Sequence, residues 1–178
     1  MSSTAFPRPA ADEHAPYYGK YVALVPDDDL LETMAQQLKD SWNLLTGISE
    51  AQGDHAYAEG KWTIREVVAH VIDTERIFAY RALRIARGDV TPLPGFDENL
   101  YAPESLAAGR TLTDLAEEFA LVRRSNLAFL KSLTPEVAAR RGVASNTPVS
   151  VRAIAWIMAG HLVHHLGILR KRYLGSEK

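Results

Sequence analysis

The sequence predicts an all-α protein: a four-helix bundle preceded by an extended N-terminal arm. Two observations carry that prediction. Four stretches repeat apolar residues at spacings of three and four, each over about 20 residues or more, while strand-like alternation is almost absent between them. Helices of that length run about 30 Å, and four of matched length pack best as a bundle.

Residues 1–26 hold Pro7, Pro9, Pro16 and Pro26, which fix φ and remove backbone donors, so this segment reads as an arm. Tyr17, Tyr18 and Tyr21 are placed to pin it against a bundle domain over 27–178. The first helix runs from about Asp28 to Ser49, with Leu30, Leu31, Met34, Leu38, Trp42 and Leu45 as its apolar positions. Its acidic start, Asp27-Asp28-Asp29, suits the positive end of the helix dipole. The second opens at Thr63, with Glu66 at capping-box spacing, and stops at Gly88. A third opens near Thr111 or Thr113 and carries Leu115, Phe119, Val122, Leu127 and Leu130 before Pro135. The fourth spans from about Ser150 to Leu174, with Gly175 as its stop. Between the second and third helices, residues 89–110 form a long connection rich in proline and glycine. A connection of that length tends to be a functional lid or the cover of an open end.

Composition narrows the function. The chain has 178 residues, 47% hydrophobic and 24% charged, as in a soluble globular domain. A formal net charge of -2 leaves no electrostatic footprint for nucleic acid or an anionic membrane. With no cysteine, disulfides, thiolate–metal sites and cysteine nucleophiles are excluded. No secretory h-region is visible near Met1. The uncharged run from Ala153 to Leu169 holds three histidines and two glycines, a poor membrane span. The expected setting is cytoplasmic.

The histidines are the most informative residues. On the fourth helix, Val151, Ile154, Ala155, Met158, Leu162, His165 and Leu169 form one apolar stripe, with His161 at its edge. Side chains four apart lie on one face, one turn above the other, so His161 and His165 can converge on a single ion. His70, on the flank of the second helix's apolar stripe, is the helical histidine available elsewhere as a third ligand. Clustered neutral imidazoles in a core need partners, and a divalent metal supplies one. Leu162 follows His161, so the glutamate of an H-E-x-x-H protease helix is missing. Glu66 and His70 are four apart rather than three, which also removes the ferritin-like di-iron pattern. A mononuclear three-histidine site remains.

The stretches Lys61-Trp62-Thr63-Ile64-Arg65-Glu66-Val67-Val68-Ala69-His70 and Gly160-His161-Leu162-Val163-His164-His165-Leu166 resemble the DinB-like, YfiT-type family of metal-binding four-helix bundles. The family pattern has a Trp-Ser/Thr opening to the second helix, a histidine within it, and a His-x-x-x-His pair late in the last helix. The resemblance spans roughly Asp27 to Leu174. It implies His70, His161 and His165 as ligands of a divalent ion such as zinc or nickel, and often a homodimer. It also implies thiol-dependent transfer or isomerisation as one activity among its members.

Three neutral imidazoles leave an ion its full charge and an open position, where bound water or thiol is deprotonated near neutral pH. Without cysteine in the chain, any thiol must come from outside. That chemistry fits both hydrolysis and thiol transfer; with what the resemblance implies, the leading expectation is S-transfer from an external low-molecular-weight thiol to a small electrophile. A metal-dependent hydrolase, or a non-enzymatic metal-binding module, are the alternatives. Weaker candidates surround the triad. Arg81 shares His70's side of the second helix and suits a substrate carboxylate, or is salt-bridged. Glu75 lies inside an apolar stripe, so it is paired to an arginine or serves as a base. His164 faces the site's surroundings or a neighbouring helix. Asp97 and Asn99 are lid residues or loop stabilisers. Finally, Trp156, Gly160, Val163 and Gly167 form a second uncharged strip on the fourth helix, expected to meet a second subunit or to lie under the arm.

Overall fold

A computed structural model describes residues 5–175; the first four residues of the arm and the last three of the chain lie outside it. Seven α-helices appear: α1 Gly19–Val22, α2 Leu30–Thr46, α3 Ile64–Ala86, α4 Glu98–Glu104, α5 Leu112–Lys131, α6 Pro135–Ala138 and α7 Val151–Ile168. The four long ones, α2, α3, α5 and α7, are the predicted bundle.

Their starts follow from capping chemistry. The Asp29 carboxylate accepts from Leu31 N and Glu32 N at 2.9 and 3.1 Å and opens α2. At α3, Thr63 and Glu66 form the predicted capping box, with Thr63 N donating to Glu66 Oε2 at 2.7 Å. Thr111, not Thr113, caps α5, and Ser150 caps α7. The last helix keeps α geometry only to Ile168, then widens into a π turn over Leu169–Tyr173.

The order around the bundle is α2, α5, α3, α7, so α2 and α3 lie on one diagonal and α5 and α7 on the other, while α3 and α5 are neighbours. The start of α3 shares one core cluster with the start of α5 and the end of α7, centred on Ile64, Leu115, Phe119 and Leu162. A second cluster joins the start of α2 and of α7 to the ends of α3 and α5, through Met34, Phe78, Leu130 and Trp156. Hence α3 and α5 run parallel, and the chain must travel back the length of the bundle between them. That requirement explains residues 89–110, since α3's 23 residues span about 35 Å.

A short hairpin, β1 Arg141–Ala144 and β2 Thr147–Ser150, is added to the helices where the sequence shows almost no strand signal. Ser145 and Asn146 form its two-residue turn, both with positive φ (51° and 60°). Four residues per strand, one of them Pro148, are too few for alternation to show. Leu93 hydrogen-bonds along β1, accepting from Ser145 N and donating to Val143 O, which anchors the long connection.

The arm is less extended than its prolines suggest. Residues 11–18 contain two 3-10 turns and lead into α1. Phe6, Tyr21, Val22 and Val25 are buried. Trp156 Nε1 donates to Phe6 O at 3.1 Å, and Arg8 donates to Val22 O and Val25 O. Where the arm crosses Gly160, a Cβ would sit 2.0 Å from Tyr21 O. Only glycine permits that approach. Trp156 and Gly160 therefore carry the arm rather than a second subunit, while Val163 and Gly167, the rest of the strip, are half-buried.

Between the two core clusters every long helix contributes polar groups. Gln37 and Ser41 are buried on α2, His70, Thr74 and Glu75 on α3, Arg123 and Asn126 on α5, and His161 on α7. Arg123, with no exposed surface, donates to Glu75 Oε1 at 2.5 Å and Gln37 Oε1 at 3.1 Å. Asn126 completes the carboxylate at 2.9 Å. This layer displaces the predicted face of α2: Gln37 and Ser41 turn inward while Trp42 is exposed.

Candidate metal centre

The antiparallel packing of α3 on α7 brings His70 level with His161 and His165. His161 Nε2 lies 3.1 Å from His70 Nε2 and 3.0 Å from His165 Nε2. One ligand atom from each residue falls within 4.8 Å of the others. All three side chains are at most 9% exposed. Tyr21 stands edge-on to His161 at 5.4 Å between ring centroids, and Trp62 leans on His70 at 4.9 Å.

Burial holds the three rings neutral. It brings His70 down to about 4, against a small opposing effect of Glu98. His165 falls to about 3, first through burial and then through His70, His164 and Lys20. His161, the most enclosed, is pushed well below its ordinary value by burial and then by its histidine neighbours and Arg123. Each ring therefore keeps a lone pair free near neutral pH. Hydrogen bonding alone serves this arrangement badly, because a neutral Nε2 is either one donor or one acceptor and His161 Nε2 meets two others. The residues fit a cation better. Nitrogens bound tetrahedrally at 2.0–2.1 Å lie about 3.3 Å apart, close to the 3.1 and 3.0 Å from His161 Nε2 to its two neighbours.

One side of the triad opens into a cavity of about 280 Å³. Tyr17, Tyr18, Lys20 and Tyr21 of the arm form one wall, Trp62, Thr74 and Phe78 another, and Phe96, Glu98 and Ser145 close it from the long connection and hairpin. A second cavity of about 240 Å³ touches His165 from beyond Trp62 and includes Asn99. The arm's part in the site was not legible beforehand, although the clustered tyrosines around Lys20 were a signal.

The weaker candidates separate. Glu75 is the paired carboxylate of the buried layer. Arg81 donates to Pro94 O at 2.8 Å and Ser145 Oγ at 3.0 Å, tying the long connection and the hairpin turn to α3. It is occupied there and does not line the triad's cavity. His164 does line it, partly exposed, with its ring 5.1 Å from His165 and 5.3 Å from Tyr21. Its nitrogens are not among the three that converge. Asp97 caps α4 by accepting from Asn99 N.

Residues 33–169 match the DinB superfamily. The chain belongs to that family. Its fold is also that of YfiT from Bacillus subtilis, itself a probable metal-dependent hydrolase with an unusual four-helix bundle topology. That match has a TM-score of 0.68 and 18% identity over 95% of this chain and 94% of YfiT. A comparison with curated proteins finds no match. No described helix here is long and apolar enough to cross a membrane.

Proposed function

We propose that this DinB-superfamily chain is a mononuclear metal enzyme in which His70, His161 and His165 hold a divalent ion, zinc or nickel, and an external low-molecular-weight thiol attacks a small electrophile. The observation that carries the reading is the convergence of three neutral imidazoles on the floor of an aromatic cavity whose lining includes a single carboxylate, the exposed Glu98. A divalent ion with three imidazole ligands acts as a Lewis acid that lowers the pKa of a thiol or water taken up at its open position. A thiol ionises readily there without a positioned base, which suits a site with so little carboxylate. Trp62, Tyr21 and Phe78 keep water from the rings, while Lys20 at the rim favours anionic reactants. The sulfur bonds to the electrophilic carbon, the leaving group departs with its bonding pair, and the thiol proton passes to solvent. A cytoplasmic setting, where such thiols stay reduced, suits this chemistry.

Hydrolysis is the second reading. It draws on Glu98 as an available proton acceptor and on the likeness to YfiT. A homodimer belongs to the proposal through the family resemblance alone, and native mass measures it directly. To test the activity, tag-free protein is assayed for metal content, then for turnover of small electrophiles and esters with and without thiols. Thiol-dependent turnover that requires metal and disappears in His165→Ala supports S-transfer. Thiol-independent, metal-dependent ester cleavage moves the assignment to a hydrolase, and protein that binds no divalent ion refutes both.

A further inference from the structure

Thr74 lies one helical turn beyond His70, at the i, i+4 position on the same face of α3, and lines the cavity above the triad. It is 2% exposed, and its hydroxyl meets no hydrogen-bond partner among the described residues. A helical hydroxyl ordinarily bonds back to the preceding turn, as Ser41 does to Gln37 O at 2.8 Å. Thr74 makes no such bond. Elsewhere in the polar layer Gln37, Glu75 and Asn126 all find partners. Of the cavity's other hydroxyls, Ser145 accepts from Arg81, and Tyr17 and Tyr21 meet each other. An unpaired buried hydroxyl is costly, and valine would fill the same space without it, so the group calls for a partner outside the protein.

We propose that Thr74 is a positioning residue whose hydroxyl donates a hydrogen bond to the anionic sulfur or oxygen of the reactant seated on the open side of His70, His161 and His165. This rests on the metal-site reading above. The bond would select a small anionic nucleophile over a neutral one, because a donor is worth more to a charged acceptor.

The test uses full-length wild type, Thr74→Val and Thr74→Ser, each loaded with cobalt(II) and titrated with 2-mercaptoethanol. Sulfur-to-cobalt charge-transfer absorption reports binding without any need for turnover. Thr74→Val should keep full cobalt and a Tm no lower than wild type, yet bind the thiol roughly tenfold more weakly. Thr74→Ser should recover affinity to within about threefold of wild type, the hydroxyl being restored. Equal thiol affinity in cobalt-loaded wild type and Thr74→Val overturns the proposal while leaving the metal site standing. So does a serine variant as weak as the valine one, or cobalt lost from Thr74→Val, since each marks a packing role. Wild type that takes no cobalt overturns the metal reading and this proposal together.

Discussion

Gly160→Ala puts the arm's seat on α7 to a sharp test, because two effects of opposite sign meet at one methyl group. Inside a helix alanine is favoured over glycine by about 1 kcal/mol, so propensity alone makes the variant more stable. In the folded chain the new Cβ would stand 2.0 Å from Tyr21 O, against 3.4 Å for the onset of ordinary contact, and the obstacle is backbone. Overpacking of this kind costs about 1–3 kcal/mol where neighbours can shift. Full release of the arm sets the ceiling, since Phe6, Tyr21, Val22 and Val25 are each buried at about 1.5–3 kcal/mol. Partial withdrawal lies between these limits. A net loss of about 3 kcal/mol is expected, or about 6–12 °C in Tm for a chain of this size. Gly167→Ala is the control: its Cβ meets nothing within 4 Å, so it should gain about 0.5–1 kcal/mol. Urea unfolding followed by calorimetry measures both. Trp156 fluorescence reports the arm directly, since that indole donates to Phe6 O. If Gly160→Ala proves as stable as Gly167→Ala, the arm does not lie on α7 as described and the cavity loses a wall.

Other consequences follow from the buried charges. Arg123→Met should cost about 3–5 kcal/mol in urea unfolding by stranding Glu75, and adding Glu75→Leu should recover part of that loss. Burial alone would raise the Glu13 carboxyl, but hydrogen bonds from Arg152, Ser150 and Ala10 N bring it to about 2. Because that lies below the ordinary 4.5, its contribution is complete above about pH 4.5 and is lost as pH falls through about 2; Glu13→Gln should flatten acid unfolding across that window. Arg81→Leu should raise amide exchange over residues 90–97 and 143–147, since it frees Pro94 O and Ser145 Oγ, while leaving metal stoichiometry unchanged.

Much of the architecture was written in local patterns. Asp29, Thr63, Thr111 and Ser150 start their helices through hydrogen bonds within three residues, which a linear reading can see. The spacing of His161 and His165 is likewise a property of one helix. Burial of Gln37 and exposure of Trp42 were not visible, because they depend on Arg123, 86 residues away from Gln37. The hairpin's strands were too short for their alternation to stand out.

By itself, then, the sequence determined the four helices, their capped starts and a histidine pair with a third histidine elsewhere, since each follows from neighbours a few residues apart. Tertiary structure alone decided that α3 and α5 run parallel, that α3 meets α7 at the depth of His70, and that the arm rather than a second subunit lies on Gly160. Those outcomes depend on packing between segments distant in the chain, where a glycine's missing Cβ or a buried carboxylate's need for an arginine acts only once the helices are side by side.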